Sequence, residues 1–89
     1  MNQDVIRGEE AHRILNADVY KEAFQTIEER LISQLATIEI TTERAEYLRQ
    51  LLVANRKIRG YLEQVMLTGK MEVERLSLME RLRGKSRVF

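Results

Sequence analysis

Along this chain apolar residues recur at helical spacing, with charged residues filling the gaps between them. The strongest run starts at Leu48. It continues through Leu51, Asn55, Ile58, Leu62, Val65, Gly69, Glu72, Leu76 and Met79 in alternating steps of three and four. The repeat is clean through Val65 apart from Asn55, and it fails at Gly69 and Glu72. Leu52, Met66 and Val73 widen the stripe beyond a narrow coiled-coil seam. The pattern predicts a helix over about 42–68 and a second over about 70–83, leaving open whether Gly69 is a hinge or one helix runs through it. Gly84 reads as the stop. Upstream, Tyr20, Phe24, Ile27, Leu31 and Ile38 form another helical stripe, with Gln34 or Leu35 filling its one gap. It predicts a helix over about 17–39, capped by Asn16 and with Asp18 in its first turn. Thr41 and Thr42, followed by Glu43 and Glu46, mark the start of the next helix. A short first helix is expected over about 4–15, from Val5, Ile6, Ala11, Ile14 and Leu15, although Gly8 weakens it.

The lengths constrain how these pieces meet. At ~1.5 Å per residue the two main helices span about 34 and 40 Å. A link as short as 40–42 makes them antiparallel neighbours. The expected fold is therefore all-α: an antiparallel helical hairpin with a short N-terminal helix beside residues 70–83. The seam would run through Tyr20, Phe24, Ile27 and Leu31 on one arm, facing Leu48, Leu51, Asn55, Ile58, Leu62 and Val65 on the other. Asn55 either fixes register and partner number or sits partly solvated at the seam's edge. A two-helix hairpin has little interior, so its outer apolar positions call for a second copy and the chain is expected to be a homo-oligomer.

Composition narrows the class. With 89 residues, 44% of them hydrophobic, the chain is one small helical domain over 1–83 followed by a basic tail over 84–89. It has no cysteine and no proline, so there is no disulfide framework. The start, Met1-Asn2-Gln3-Asp4, lacks the pattern of a secretory leader. No apolar run approaches the ~18 residues that suggest a bilayer span. No membrane association is expected, and the expected location is the cytoplasm. The net charge of +1 hides an asymmetry, with residues 1–43 carrying −5 and residues 44–89 carrying +6. The basic half either compensates the acidic one within the fold or serves a partner. The end of the chain is the better partner site. Arg81, Arg83, Lys85 and Arg87 lead to Phe89 with no acid after Arg81. Such a segment can dock Phe89 into a protein pocket or bind nucleic acid through counterion release.

Candidate chemistry is sparse. His12 is the only histidine, and Glu9 at i−3 does not complete a zinc site, which needs three or four ligands. Glu9-Glu10 and Glu28-Glu29 are adjacent pairs, about 100° apart on a helix, so neither converges on one substrate atom. Gly69-Lys70 and Gly84-Lys85-Ser86 lack the first half of a phosphate-binding loop. Arg56-Lys57-Ile58-Arg59 is a basic cluster, but Glu46 and Glu63 share its surface. The expectation is a protein without enzymatic activity, metal or cofactor.

Residues 11–74 resemble short helical proteins of tailed bacteriophages, encoded among virion and morphogenesis genes. The shared texture is Ile14-Leu15-Asn16, then Val19-Tyr20-Lys21-Glu22-Ala23-Phe24, then an Arg- and Leu-rich helix from Arg44 through Leu52, closing over Leu62 to Gly69-Lys70. Where members often carry Asp-Pro at the start of the second helix, this chain has Ala17-Asp18. The resemblance implies a structural or assembly role in a phage particle, with a larger structural protein as partner, in the host cytoplasm or the virion. Two other readings stay open: a small nucleic-acid-binding packaging or regulatory factor, and an inhibitor of a host protein.

Overall fold

The computed structural model describes the backbone over residues 2–86 and the side chains over 2–84. Among the described residues there are three helices and no strand: α1 (Gln3–Asn16), α2 (Asp18–Leu35) and α3 (Thr42–Ser86). The molecule measures 75 × 24 × 17 Å, with a radius of gyration of 20.5 Å. A compact chain of this length would have a radius near 12 Å. The long dimension is set by α3, whose 45 residues span about 67 Å.

The ends of the helices follow from short polar side chains. Asn2 accepts hydrogen bonds from the backbone N–H groups of Asp4 (2.9 Å) and Val5 (3.3 Å), capping α1. At the other end the Asn16 side chain turns back to donate to the His12 carbonyl at 2.7 Å. Asn16 therefore closes α1 rather than opening α2, a correction to the sequence reading. The break is a single extended residue, Ala17 (φ −68°, ψ 130°), which is the C-cap of α1 and the N-cap of α2. Thr41 caps α3, accepting from the Arg44 N–H at 3.1 Å.

Helix α2 ends at Leu35, short of the expected residue 39. Thr37, Ile38, Ile40, Thr41 and Thr42 are all β-branched and poor at prolonging a helix. The link is residues 36–41, and Ile38 lies in it 97% exposed rather than on the apolar stripe. Gly69 and Gly84 both lie inside α3, which is one continuous helix from Thr42 to Ser86. Neither glycine is the break or the stop that the pattern allowed, and no described residue has positive φ.

Both short helices run opposite to α3 and follow one another along it. For α2 the markers are Gln34 with Arg44 (3.2 Å), Glu28 with Arg56 (2.6 Å) and the Phe24 carbonyl with Asn55 (3.5 Å). For α1 they are Arg7 with Tyr61 (3.2 Å) and Asn2 with Glu72 (2.7 Å). The first helix thus lies against residues 61–72, not beside 70–83 as its expected position required. The earlier end of α2 shifts the register and carries α1 with it.

The tightest contact in the molecule joins α1 to α3. A Cβ placed on Gly8 would stand 2.8 Å from the Gly69 Cα, and one on Gly69 would stand 2.8 Å from the Gly8 Cα and 2.9 Å from the Asp4 carbonyl oxygen. Backbone meets backbone here, with nothing flexible to give way. Ala11, one turn on, is 2% exposed. Gly60, on the same helix, has open space around it. Gly8→Ala or Gly69→Ala is expected to destabilise the protein by about 1–3 kcal/mol through overpacking, although alanine is the better helix former. Gly60→Ala is expected to stabilise it by about 1 kcal/mol. Thermal melts followed by circular dichroism at one protein concentration check this, and equal shifts for all three variants would refute it.

Candidate helix-interaction surface

The seam residues fall into three groups. Leu31 and Leu48 are buried, and Leu48 is the one large side chain fully buried among the described residues. Tyr20, Phe24, Asn55, Leu62 and Val65 are half-buried. Ile27, Leu51 and Ile58 are exposed, Ile58 at 63%. The structure brings Phe24 to Asn55, whose amide donates to the Phe24 carbonyl at 3.5 Å. Arg59 covers the Phe24 ring, its guanidinium carbon 4.7 Å from the ring centroid. Tyr20 and Phe24 stack tilted, 6.5 Å apart. Ile58 points away from this cluster toward solvent.

Of the proposed tail site, Arg81 and Arg83 are exposed on the last turns of α3. Arg87 and Phe89 lie outside the described residues, as does the Lys85 side chain.

The Gly8–Gly69 crossing was not singled out as a site by the sequence reading. The only signal was a glycine within each of two helical patterns, where it costs helix stability, and Gly60 in the same pattern has open space around it. The crossing floors a groove of about 480 Å³ with Val5, His12, Met66 and Val73 on its walls and Glu9, Arg13, Lys70 and Glu74 at its rim. His12 sits there with Nδ1 3.4 Å from the Met66 sulfur and its backbone carbonyl taken by Asn16. Among the described residues no group of three or more His, Asp or Glu side chains is placed to hold a metal ion. No described helix is long and apolar enough to cross a membrane.

Beyond Val73 and Glu74, which still line the groove with α1, α3 continues without α1 beside it. Glu72 is the terminal fastening: it accepts from Asn2 at 2.7 Å and from Arg75 Nε at 3.0 Å. The Arg75 hydrogen bonds, helped by the Arg75 charge and then by Asn2, hold its carboxyl below the ordinary value of 4.5 against desolvation, the second-largest effect. Past the groove, Leu76 and Met79 continue the apolar stripe at 41% and 46% exposure.

The chain matches no protein-family model, no curated protein and no solved structure. The tailed-phage resemblance therefore rests on the residues quoted for it.

Two predictions follow from this surface. Leu48→Ala is expected to cost about 2–5 kcal/mol, while Ile58→Ala should stay within about 0.5 kcal/mol; denaturant unfolding distinguishes them. Because Glu72 is more acidic folded than unfolded, its contribution is present above the ordinary carboxylate range and is lost as pH falls through and below 4.5. In a pH series of thermal melts, Glu72→Gln should flatten part of the acid-side decline. An unchanged acid limb would show that the Asn2–Glu72–Arg75 contact adds nothing to the fold.

Proposed function

We propose that this chain is a non-enzymatic assembly protein that works by helix–helix association, with itself and with a larger protein. One observation carries the reading. Among the described residues only Ala11, Leu31 and Leu48 are buried apolar side chains, while seventeen large apolar residues are between 39% and 97% exposed. A stable monomer rarely leaves so much apolar surface in water, and extended apolar surface of this kind marks a site of association. The folded-back pair of α2 and α3 supplies a stiff rod, and its outer apolar positions are what a second copy or a larger partner would cover. Burial of that surface at ~25 cal/mol per Å² drives association, and the charges beside it set partner and direction.

The resemblance of residues 11–74 to short tailed-phage proteins gives the reading its setting: a role in building a virus particle, with a larger structural protein of that particle as partner. The basic end of α3, with Arg81 and Arg83 exposed, favours a second reading, nucleic-acid binding. The two differ in salt dependence, because phosphate contacts lose affinity steeply as salt rises.

If association completes the fold, the melting temperature should climb with protein concentration. Differential scanning calorimetry over a wide concentration range, with a gel shift on duplex DNA at low and high salt, tests both readings. A concentration-independent melt of a monomer would defeat the first. A gel shift abolished by salt, in a chain that stays monomeric, would favour the second.

A further inference from the structure

We infer that α3 beyond α1, over residues 75–83, is the surface through which two copies of this chain pair, and that they pair antiparallel. This rests on the self-association proposed above and names where it happens. The apolar stripe of α3 is covered in series. Helix α2 lies along the part near Leu48 and Asn55, and α1 along the part from Leu62 to Glu72, where Asn2 closes the run. Leu76 and Met79 continue the stripe with about half their surface in water, and among the described residues no further helix lies beside them.

A second copy is opposed less in one direction than in the other. Paired helices lie 8–10 Å apart, and α1 stands on this same face of α3 as far as Glu72. Parallel pairing would force two α1 helices, one from each copy, between the two rods and hold the free ends apart. Antiparallel pairing instead puts the two α1 helices at opposite ends of the contact, so that each meets only the last turn of the other copy, residues 83–86, and not the other α1.

The charges select the same direction. In the antiparallel register that sets Leu76 opposite Met79 of the second copy, Arg83 comes opposite Glu72 of the second copy, and the two-fold axis repeats the pair. A carboxylate has about four acceptor positions, so Glu72 can take Arg83 in addition to Asn2 and Arg75. Parallel pairing would instead set Glu72 against Glu72 and Arg83 against Arg83. The contact is short, below the ~20–30 residues a side of a standard stable interface, so the dimer is weak and concentration-dependent.

The test is sedimentation velocity of the full chain, with helicity recorded alongside. The expected result is a monomer–dimer equilibrium reaching twice 10.5 kDa. Leu76→Glu should weaken it by about tenfold or more and leave helicity intact, because Leu76 is already 41% exposed in the single chain. The chain has no cysteine, so orientation is read by mixing Leu76→Cys with Met79→Cys chains under mild oxidation. A mixed disulfide in excess of either homodimer supports the antiparallel pair. Dominant linkage of Leu76→Cys chains to each other overturns it. A wild-type dimer that Leu76→Glu leaves intact also overturns it, while the broader self-association reading stands. A wild-type chain that is monomeric throughout defeats both.

Discussion

The architecture turns on the place where Gly8 of α1 and Gly69 of α3 touch backbone to backbone. Two helices can approach this closely only where neither carries a side chain, so the two glycines select one position of α1 along a helix of 45 residues. Once α1 is seated there, other contacts follow. Ala11 is buried against α3, His12 reaches Met66, and Asn2 arrives at Glu72. The same seating determines where α1 stops, and so which part of α3 is left without a neighbour.

A rod of this kind has much surface and little interior. Its three helices form a layer rather than a core, with each residue of α3 able to face only one neighbour. This explains why a chain with 44% hydrophobic residues buries so few of them fully. The apolar residues are enough for several seams, of which the single chain closes one. The apolar surface left in water is what the proposed association would cover.

Electrostatics contribute more to direction than to stability. Three of the four ion pairs among the described residues lie within α3 itself: Arg49–Glu46, Arg59–Glu63 and Arg75–Glu72. Exposed pairs one turn apart contribute about 0.3–0.5 kcal/mol each. One pair, Glu28–Arg56 at 2.6 Å, joins the acidic first half to the basic second half. Most of the charge asymmetry is therefore not neutralised by direct contacts within the fold. It remains as a field along the rod, available to orient a partner.

The sequence by itself determined the all-helical class and the start of α3, because period and capping are local properties. Leu48 to Val65 repeats at steps of three and four, and Thr41 supplies the oxygen that a helix start requires. It did not determine where α2 ends, since Ile38 fits a helical stripe on paper while the β-branched residues around it resist a helix in the backbone. Gly69 shows the same limit from the other side. As a letter in a helical pattern it reads equally as hinge, stop or notch. Only the arrival of Gly8 from 61 residues away makes it a notch, because the absence of a side chain matters only once another backbone occupies the space. Which apolar residues are covered was likewise a tertiary decision: Leu48 and Ile58 both belong to the repeat, yet one is buried and the other faces water, because covering depends on where a neighbouring helix begins and ends.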